Sequence, residues 1–282
     1  MDHTLTIIIP AHNEAAALPQ VLGSLRAHAP EAHVIVVDDG STDATASVAE
    51  QFGATVLRHA GNLGYGAALK TGFRQAATPF VATMDADGQH TPEALEAVWR
   101  ARHDADMVVG ARTGFHGPAW RMPGKWLLRV MAQYLTRRRI PDLNSGLRLY
   151  RRDVLLRYLH VCPSGFSLTT TMTLAMLSRG WRVTYVPITV AARIGRSTVN
   201  VVTGLETVVL ILRIVSLFNP LRVFVPSAAA LAAAGLLWGL PIAAAGRGVS
   251  VGSMLAIVTA VILFALGLLC DQISQLRLER FE

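Results

Sequence analysis

The sequence predicts an α/β fold built on a mainly parallel central sheet, followed by a pair of apolar helices. Short β-branched runs alternate with helix-length stretches over the first 110 residues. The strand-like runs are continuously apolar, as expected for parallel strands covered on both faces. From Phe224 onward the chain turns almost wholly apolar, so polar front and apolar tail are separate units.

The strand-like runs are 5–10, 33–38, 54–58, 80–85 and 107–110, and between them 14–28, 42–52, 65–77 and 92–102 are long enough for helices. Leu5-Thr6-Ile7-Ile8-Ile9, closed by Pro10, is too short for a secretory core and lacks a basic leader, so it reads as a buried strand. Ser41 or Thr42 is expected to cap the second helix, and Thr91-Pro92 the fourth. The rhythm breaks over 111–141. Gly114, Gly117, Pro118, Pro123 and Gly124 mark a loop carrying Trp120 and Arg121, and a helical stretch then ends at Arg137-Arg138-Arg139. A second α/β portion follows, strand-like at 146–150 and 182–190 and helical at 169–179.

Segment 199–218 is apolar but holds Glu206 and Arg213, which suits an interfacial helix rather than a span. Stretches 224–245 and 253–270 approach the roughly 20 apolar residues that cross a hydrocarbon core. The short turn around Arg247 makes them a hairpin. Arg213 and Arg222 precede it, Arg277 and Arg280 follow it, and only Arg247 lies in its turn. The positive-inside rule then puts both ends and the α/β domain in the cytoplasm, as in a multi-pass protein of the inner membrane. The expected boundaries are a catalytic domain over 1–198, a juxtamembrane helix over 199–221 and a transmembrane hairpin over 222–282.

The formal charge of +7 comes almost entirely from arginine, since Lys70 and Lys125 are the only lysines. Arginine suits phosphate groups and anionic lipid surfaces. Neither zinc-ligand spacing nor an aromatic-interleaved basic stripe is found, so no nucleic-acid partner is expected. Cys162 and Cys270 lie far apart and read as reduced thiols.

Open parallel sheets bind ligands at the carboxyl ends of their strands, where Asn13-Glu14, Asp38-Asp39-Gly40-Ser41 and Asp85-Ala86-Asp87-Gly88-Gln89 fall. Residues i and i+2 of an extended segment face the same way, so Asp85 and Asp87 are expected to converge. Their repulsion is relieved by a cation bridging them to a diphosphate, and oxygen ligands suit Mg²⁺ or Mn²⁺. Such a pair alone is common in surface turns; its position and neighbours raise its meaning. Gly61, Gly64 and Gly66 read as a tight turn into a helix, His90 as a polar helix-start residue, and Arg137–Arg139 as a solvated face.

Ile8-Ile9-Pro10-Ala11-His12-Asn13-Glu14, Val36-Val37-Asp38-Asp39-Gly40-Ser41-Thr42-Asp43, Asn62-Leu63-Gly64-Tyr65-Gly66 and Asp85-Ala86-Asp87-Gly88-Gln89-His90 resemble, in order and spacing, glycosyltransferase family 2. The likeness is greatest to its polyprenyl-phosphate sugar transferases, the dolichol-phosphate-mannose-synthase-like branch. Gly110-Ala111-Arg112, Asp142-Leu143-Asn144-Ser145-Gly146-Leu147-Arg148 and Arg193-Ile194-Gly195-Arg196-Ser197 also fit that branch, and the likeness runs over about residues 4–200. It implies a GT-A type, Rossmann-like nucleotide-sugar-binding domain with Mg²⁺ or Mn²⁺. The implied reaction is inverting transfer from a UDP- or GDP-linked sugar to polyprenyl phosphate at a lipid bilayer, with homo-oligomerisation left open. Pro10, His12, Glu14, Val37 and Asp39 would line the nucleoside pocket. Asp85, Ala86, Asp87 and Gln89 would hold metal and diphosphate, with Asp85, Asp87 and Gln89 as ligands. Arg112, Arg121, Arg193 and Arg196 would handle phosphate, and Asp142 would orient or deprotonate near the sugar and acceptor. The family pattern ends in Ser-Lys where this chain has Ser197-Thr198, with Arg196 as the substitute cation.

Other readings are a different lipid or soluble hydroxyl acceptor, and a non-catalytic nucleotide-sugar-binding membrane module, which would not need the acidic cluster. A processive synthase is disfavoured, because the Gln-x-x-Arg-Trp motif is missing and two helices cannot enclose a polymer channel.

Overall fold

A computed structural model describes residues 1–113, 122–165, 167–192, 216 and 218–279, the side chains of 122–125 and 277–279 excepted. The chain divides into two units, Met1–Thr203 and Gly204–Glu282.

In the first unit, β1 (Leu5–Ala11), β2 (His33–Asp38), β3 (Thr55–Arg58), β4 (Phe80–Thr83), β5 (Met107–Arg112), β6 (Arg148–Arg151) and β7 (Val183–Ile188) form one sheet in the order β3-β2-β1-β4-β6-β5-β7. The β1–β2, β2–β3, β1–β4 and β5–β7 pairs are parallel, and only β6 runs antiparallel, between β4 and β5. Ile7, Ile8, Ile9, Ile35, Val36 and Val37 are fully buried, which explains their unbroken apolar runs. Pro10 lies in β1 beyond the last β4 partner, Ile8↔Thr83, so its missing N–H breaks no bond to β4.

The covering helices are α1 (Leu18–His28), α2 (Thr45–Gln51), α3 (Tyr65–Gln75), α4 (Pro92–Arg100), α5 (Met122–Thr136), α6 (Arg152–Tyr158) and α7 (Leu168–Ser178). Their starts show where local chemistry overrides pattern. Thr91 caps α4 by accepting the Ala94 N–H, with Pro92 in the first turn, as the sequence indicates. The N-cap of α2 is Ala44 rather than Ser41 or Thr42, and the Asp43 carboxylate just before it accepts the Thr45 N–H at 2.9 Å. Ser41 and Thr42 are engaged by Asn13, which sits at φ 57° in the turn leaving β1. That turn delays α1 from the expected residue 14 to Leu18.

The second unit contains α8 (Leu221–Ala244) and α9 (Val251–Glu279), joined by a short turn around Arg247. Both are long and apolar enough to cross a membrane, with mean hydropathies of 1.8 and 2.6. Only 11% and 17% of their most apolar windows is buried, so most of this apolar surface is left exposed. Small residues bring the helices together: a side chain at Gly239 would overlap Ser253, and one at Gly267 would overlap Phe224. The interfacial helix expected over 199–218 lies almost wholly outside the described residues.

Candidate active site

The site is assembled at the carboxyl ends of β1, β2, β4 and β5. Pro10 and Val37 are partners at the ends of β1 and β2. Just beyond them, the His12 ring Nδ1 is 2.9 Å from the Asp39 carbonyl, and the Glu14 N–H donates to Thr45 Oγ1. The Asp39 carboxylate is 4% exposed and points inward. It accepts the Leu63 and Gly64 N–H groups at 2.9 and 2.8 Å, and His59 Nδ1 lies 2.7 Å from its Oδ1. Asp39 therefore fixes the Asn62–Gly64 turn from the end of β2. Gly64 enters α3 at φ 97°, a backbone region that favours glycine.

β4 ends at Thr83, so Asp85 and Asp87 stand in the turn after the strand rather than in the extended segment predicted. The Asp87 Oδ1 accepts the Gln89 N–H at 3.1 Å, while the Gln89 carbonyl accepts the Ala191 N–H at 2.9 Å. Ala86 is buried beneath. His90 is a structural prop: buried, paired with Val190, its Nδ1 accepting the Asp85 N–H at 3.3 Å. Asp85 Oδ1 accepts the Tyr65 hydroxyl at 3.0 Å. Its other oxygen presses on Gly146, where a Cβ would come within 2.1 Å of Oδ2.

Arg112, the last residue of β5, grips Asp142 with a fork: Nε to Oδ2 at 2.7 Å and Nη2 to Oδ1 at 3.0 Å. Burial by itself would raise the Asp142 carboxyl, but the Arg112 bonds and charge, with the Asn144 and Arg112 N–H groups, hold it below its ordinary value. Burial opposes the Arg112 charge in the same way. Its bonds to Asp142, and the nearby charges of Asp142, Asp85 and Asp87, nevertheless raise its pKa. Arg112 thus shares one electrostatic neighbourhood with the acidic turn. Burial, then the Asp85 charge and hydrogen bond, push the Tyr65 phenol well above its usual value, keeping it a donor.

Among the described residues no three of His, Cys, Asp and Glu converge as a metal cage. Two carboxylates are nonetheless a fitting donor set for Mg²⁺ or Mn²⁺, because such ions take their remaining ligands from phosphates and water. Arg121, Arg193 and Arg196 lie outside the described residues, as does Trp120.

Residues 6–159 match the family described as Glycosyl transferase family 2. The chain belongs to glycosyl transferase family 2. Residues 219–276 match a second family, described as GtrB C-terminal hairpin. The undecaprenyl-phosphate mannosyltransferase of Micrococcus luteus is 33% identical over 201 residues, 66% of this chain and 83% of that protein. The polyprenol monophosphomannose synthase of Mycolicibacterium smegmatis is 32% identical over 205 residues, 66% of this chain and 77% of that protein. A solved structure of glucosyl-3-phosphoglycerate synthase from Mycobacterium tuberculosis, in complex with Mn²⁺, UDP-glucose and phosphoglyceric acid, superposes with a TM-score of 0.60. It is 20% identical, over 75% of this chain and 78% of that one, and so speaks for the fold.

Four residues of this glycosyltransferase escaped sequence reasoning as parts of the site: His59, Tyr65, Gly146 and Arg148. Arg148 is fully buried and donates to the carbonyls of Leu143, Ser145 and Thr169 and to the Thr173 hydroxyl, tying the 142–146 loop to α7. Only its place at the end of the Asp142–Arg148 motif hinted at such a role.

Proposed function

We propose that this family 2 glycosyltransferase moves a sugar, with inversion, from a UDP- or GDP-linked donor to a polyprenyl phosphate at the cytoplasmic face of a membrane. The observation that carries the reading is the Arg112–Asp142 fork. An aspartate whose two oxygens are bound by a guanidinium, and whose pKa is lowered, is a poor general base. A lipid monophosphate needs none, since its second ionisation lies near pH 6 and the attacking oxygen is already anionic at neutral pH. The names of the relatives support the same acceptor class, and the arginine-rich composition suits it.

In the proposed reaction, Pro10, His12, Glu14, Val37 and Asp39 bind the nucleoside. Asp85, Asp87 and Gln89 hold Mg²⁺ or Mn²⁺, which when bound neutralises charge on the departing diphosphate. Arg112 steadies phosphate oxygens, with Arg121, Arg193 and Arg196 as further phosphate contacts. Asp142 orients Arg112. The acceptor phosphate oxygen forms a bond to the anomeric carbon as the bond from that carbon to the donor diphosphate breaks. No proton changes hands.

Two features support membrane placement. The helices α8 and α9 suit a bilayer by length and apolarity. In the catalytic unit, α5 exposes Trp126, Leu127, Val130 and Tyr134, and exposed Arg137, Arg138 and Arg139 follow it. An apolar face with interfacial aromatics and a cationic end suits an anionic lipid surface. The deciding experiment presents purified full-length protein with UDP- and GDP-sugars and either polyprenyl phosphate or the corresponding polyprenol. Transfer to the phosphate alone is expected. Equal rates on the bare alcohol would overturn the acceptor assignment, and full turnover in chelator would remove the metal.

A further inference from the structure

Asp85 has its carboxylate held from two sides by residues that belong to neither the acidic turn nor β4. A Cβ at Gly146 would come within 2.1 Å of Oδ2 and 2.5 Å of Oδ1, so the carboxylate packs against bare backbone there, while the Tyr65 hydroxyl donates to Oδ1 at 3.0 Å. Tyr65 is itself anchored. The two backbone N–H groups before it, at Leu63 and Gly64, are bound by the Asp39 carboxylate. The residue after it, Gly66, is pressed so closely on Ser164-Gly165 that a Cβ would come within 2.5 Å of the Gly165 carbonyl. The Ala67 N–H then donates to the Ser164 carbonyl at 2.9 Å. A ring at the head of α3, with its backbone pinned on three sides, has little freedom to follow Asp85, so Asp85 must follow it.

We propose that Tyr65 is a positioning residue for the cation and diphosphate: its hydroxyl, donated to Oδ1, fixes the Asp85 carboxylate and so sets where Asp85 meets the ligand. The inference rests on the proposed reading of Asp85 and Asp87 as the cation-holding pair. A hydrogen bond to one carboxylate oxygen draws charge from it and locks its rotamer, as outer-shell donors do around metal ligands. It also softens the repulsion between Asp85 and Asp87 before a cation arrives. The same turn is gripped by Asp39 at the nucleoside end, so one five-residue segment, Asn62-Leu63-Gly64-Tyr65-Gly66, sets the spacing between base and diphosphate.

Tyr65→Phe removes the hydroxyl and keeps the ring. In full-length protein, Mn²⁺ is titrated by the loss of its free-ion electron paramagnetic resonance signal, with UDP or GDP present. The expected result is an apparent Mn²⁺ affinity weakened about 10- to 100-fold, the range seen when outer-shell partners are lost. Affinity for UDP or GDP without metal should stay within about twofold, because Asp39 and the backbone turn are untouched. At saturating Mn²⁺ the kcat should recover, placing the defect in binding the cation. Molecules that fail to fold lower the stoichiometry and leave the midpoint unchanged, so the midpoint decides. A wild-type midpoint in the variant overturns the inference, as does an equal loss of metal-free nucleotide affinity. Absence of Mn²⁺ binding by the wild-type protein with either nucleotide would instead overturn the reading of the acidic pair itself.

Discussion

An aspartate beside a reacting sugar acts as a base only if an oxygen is available and its pKa lies near the working pH. Asp142 meets neither condition. Because its carboxyl pKa is lowered on folding, the stabilisation from the Arg112 pair is in place above the ordinary carboxylate value of about 3.9 and is lost as pH falls through the lowered value. The pair is therefore intact at every pH above the ordinary carboxylate value of about 3.9, neutral pH included. The kcat/KM for polyprenyl phosphate should fall only on the acid side, near the acceptor's own second pKa of about 6. An acceptor analogue with a shifted phosphate pKa should move that limb by the same amount. A limb that stays fixed when the acceptor pKa moves would return the base to the protein. Gly146 yields a second expectation. Alanine there fits the backbone, since its φ is not positive, but its Cβ would come within 2.1 Å of the Asp85 carboxylate, which would have to leave its position. Gly146→Ala should therefore displace Asp85 and lower transfer by about 100-fold or more, the scale of a lost electrostatic contact at the reacting group. Thermal unfolding should change little.

At the scale of elements, the buried Arg148 joins loop, sheet and helix through four oxygen acceptors. Arg148→Met would strip the Leu143 and Ser145 carbonyls of this donor, at about 1–3 kcal/mol for each left unpaired, while the Thr173 hydroxyl and the Thr169 carbonyl keep each other. Even with partial rearrangement, a loss of about 3 kcal/mol or more is expected in denaturant unfolding. Activity should fall with it, because Asp142 rides on the same loop. None of this is local in sequence: Thr169 and Thr173 stand 21 and 25 residues beyond Arg148. The same distinction separates what the sequence made legible from what it hid. β1 and β2 announce themselves because burial on both faces demands unbroken apolar runs, and the α4 cap because Thr91-Pro92 is a local signal. The end of β4 was overshot by two residues: Met84 and Asp85 continue the apolar-then-acidic pattern, and Met84 still donates its N–H to the Ile8 carbonyl at 3.0 Å, but strand pairing has ended at Thr83. The acidic pair and Arg112 were legible as motifs. Tyr65 was not, because a tyrosine at a helix start gives no sign that its hydroxyl reaches a carboxylate 20 residues away.

For the molecule as a whole, the question is which side of the membrane each unit occupies. A helix of 24 residues, such as α8, rises about 36 Å at 1.5 Å per residue, more than the roughly 30 Å hydrocarbon core. The helix α9 is longer, and polar residues such as Asp271 and Gln272 gather toward its end. Two such helices joined by a turn return the chain to the side it started from. The sequence carries Arg213 and Arg222 before the hairpin and Arg277 and Arg280 after it, against Arg247 alone in the turn. Arginine near the ends of spans is retained on the cytoplasmic side, so the topology we propose keeps the α/β unit there and the turn outside. The native thiols, Cys162 and Cys270, are replaced by alanine for the test. In sealed cells a cysteine at Ser250, in the turn, should be labelled by a membrane-impermeant maleimide. One at Glu50, exposed at the end of α2, should be labelled only after the membrane is opened. Labelling of Glu50→Cys in intact cells, with Ser250→Cys protected, would invert the topology and deny the enzyme a cytoplasmic pool of nucleotide-sugar.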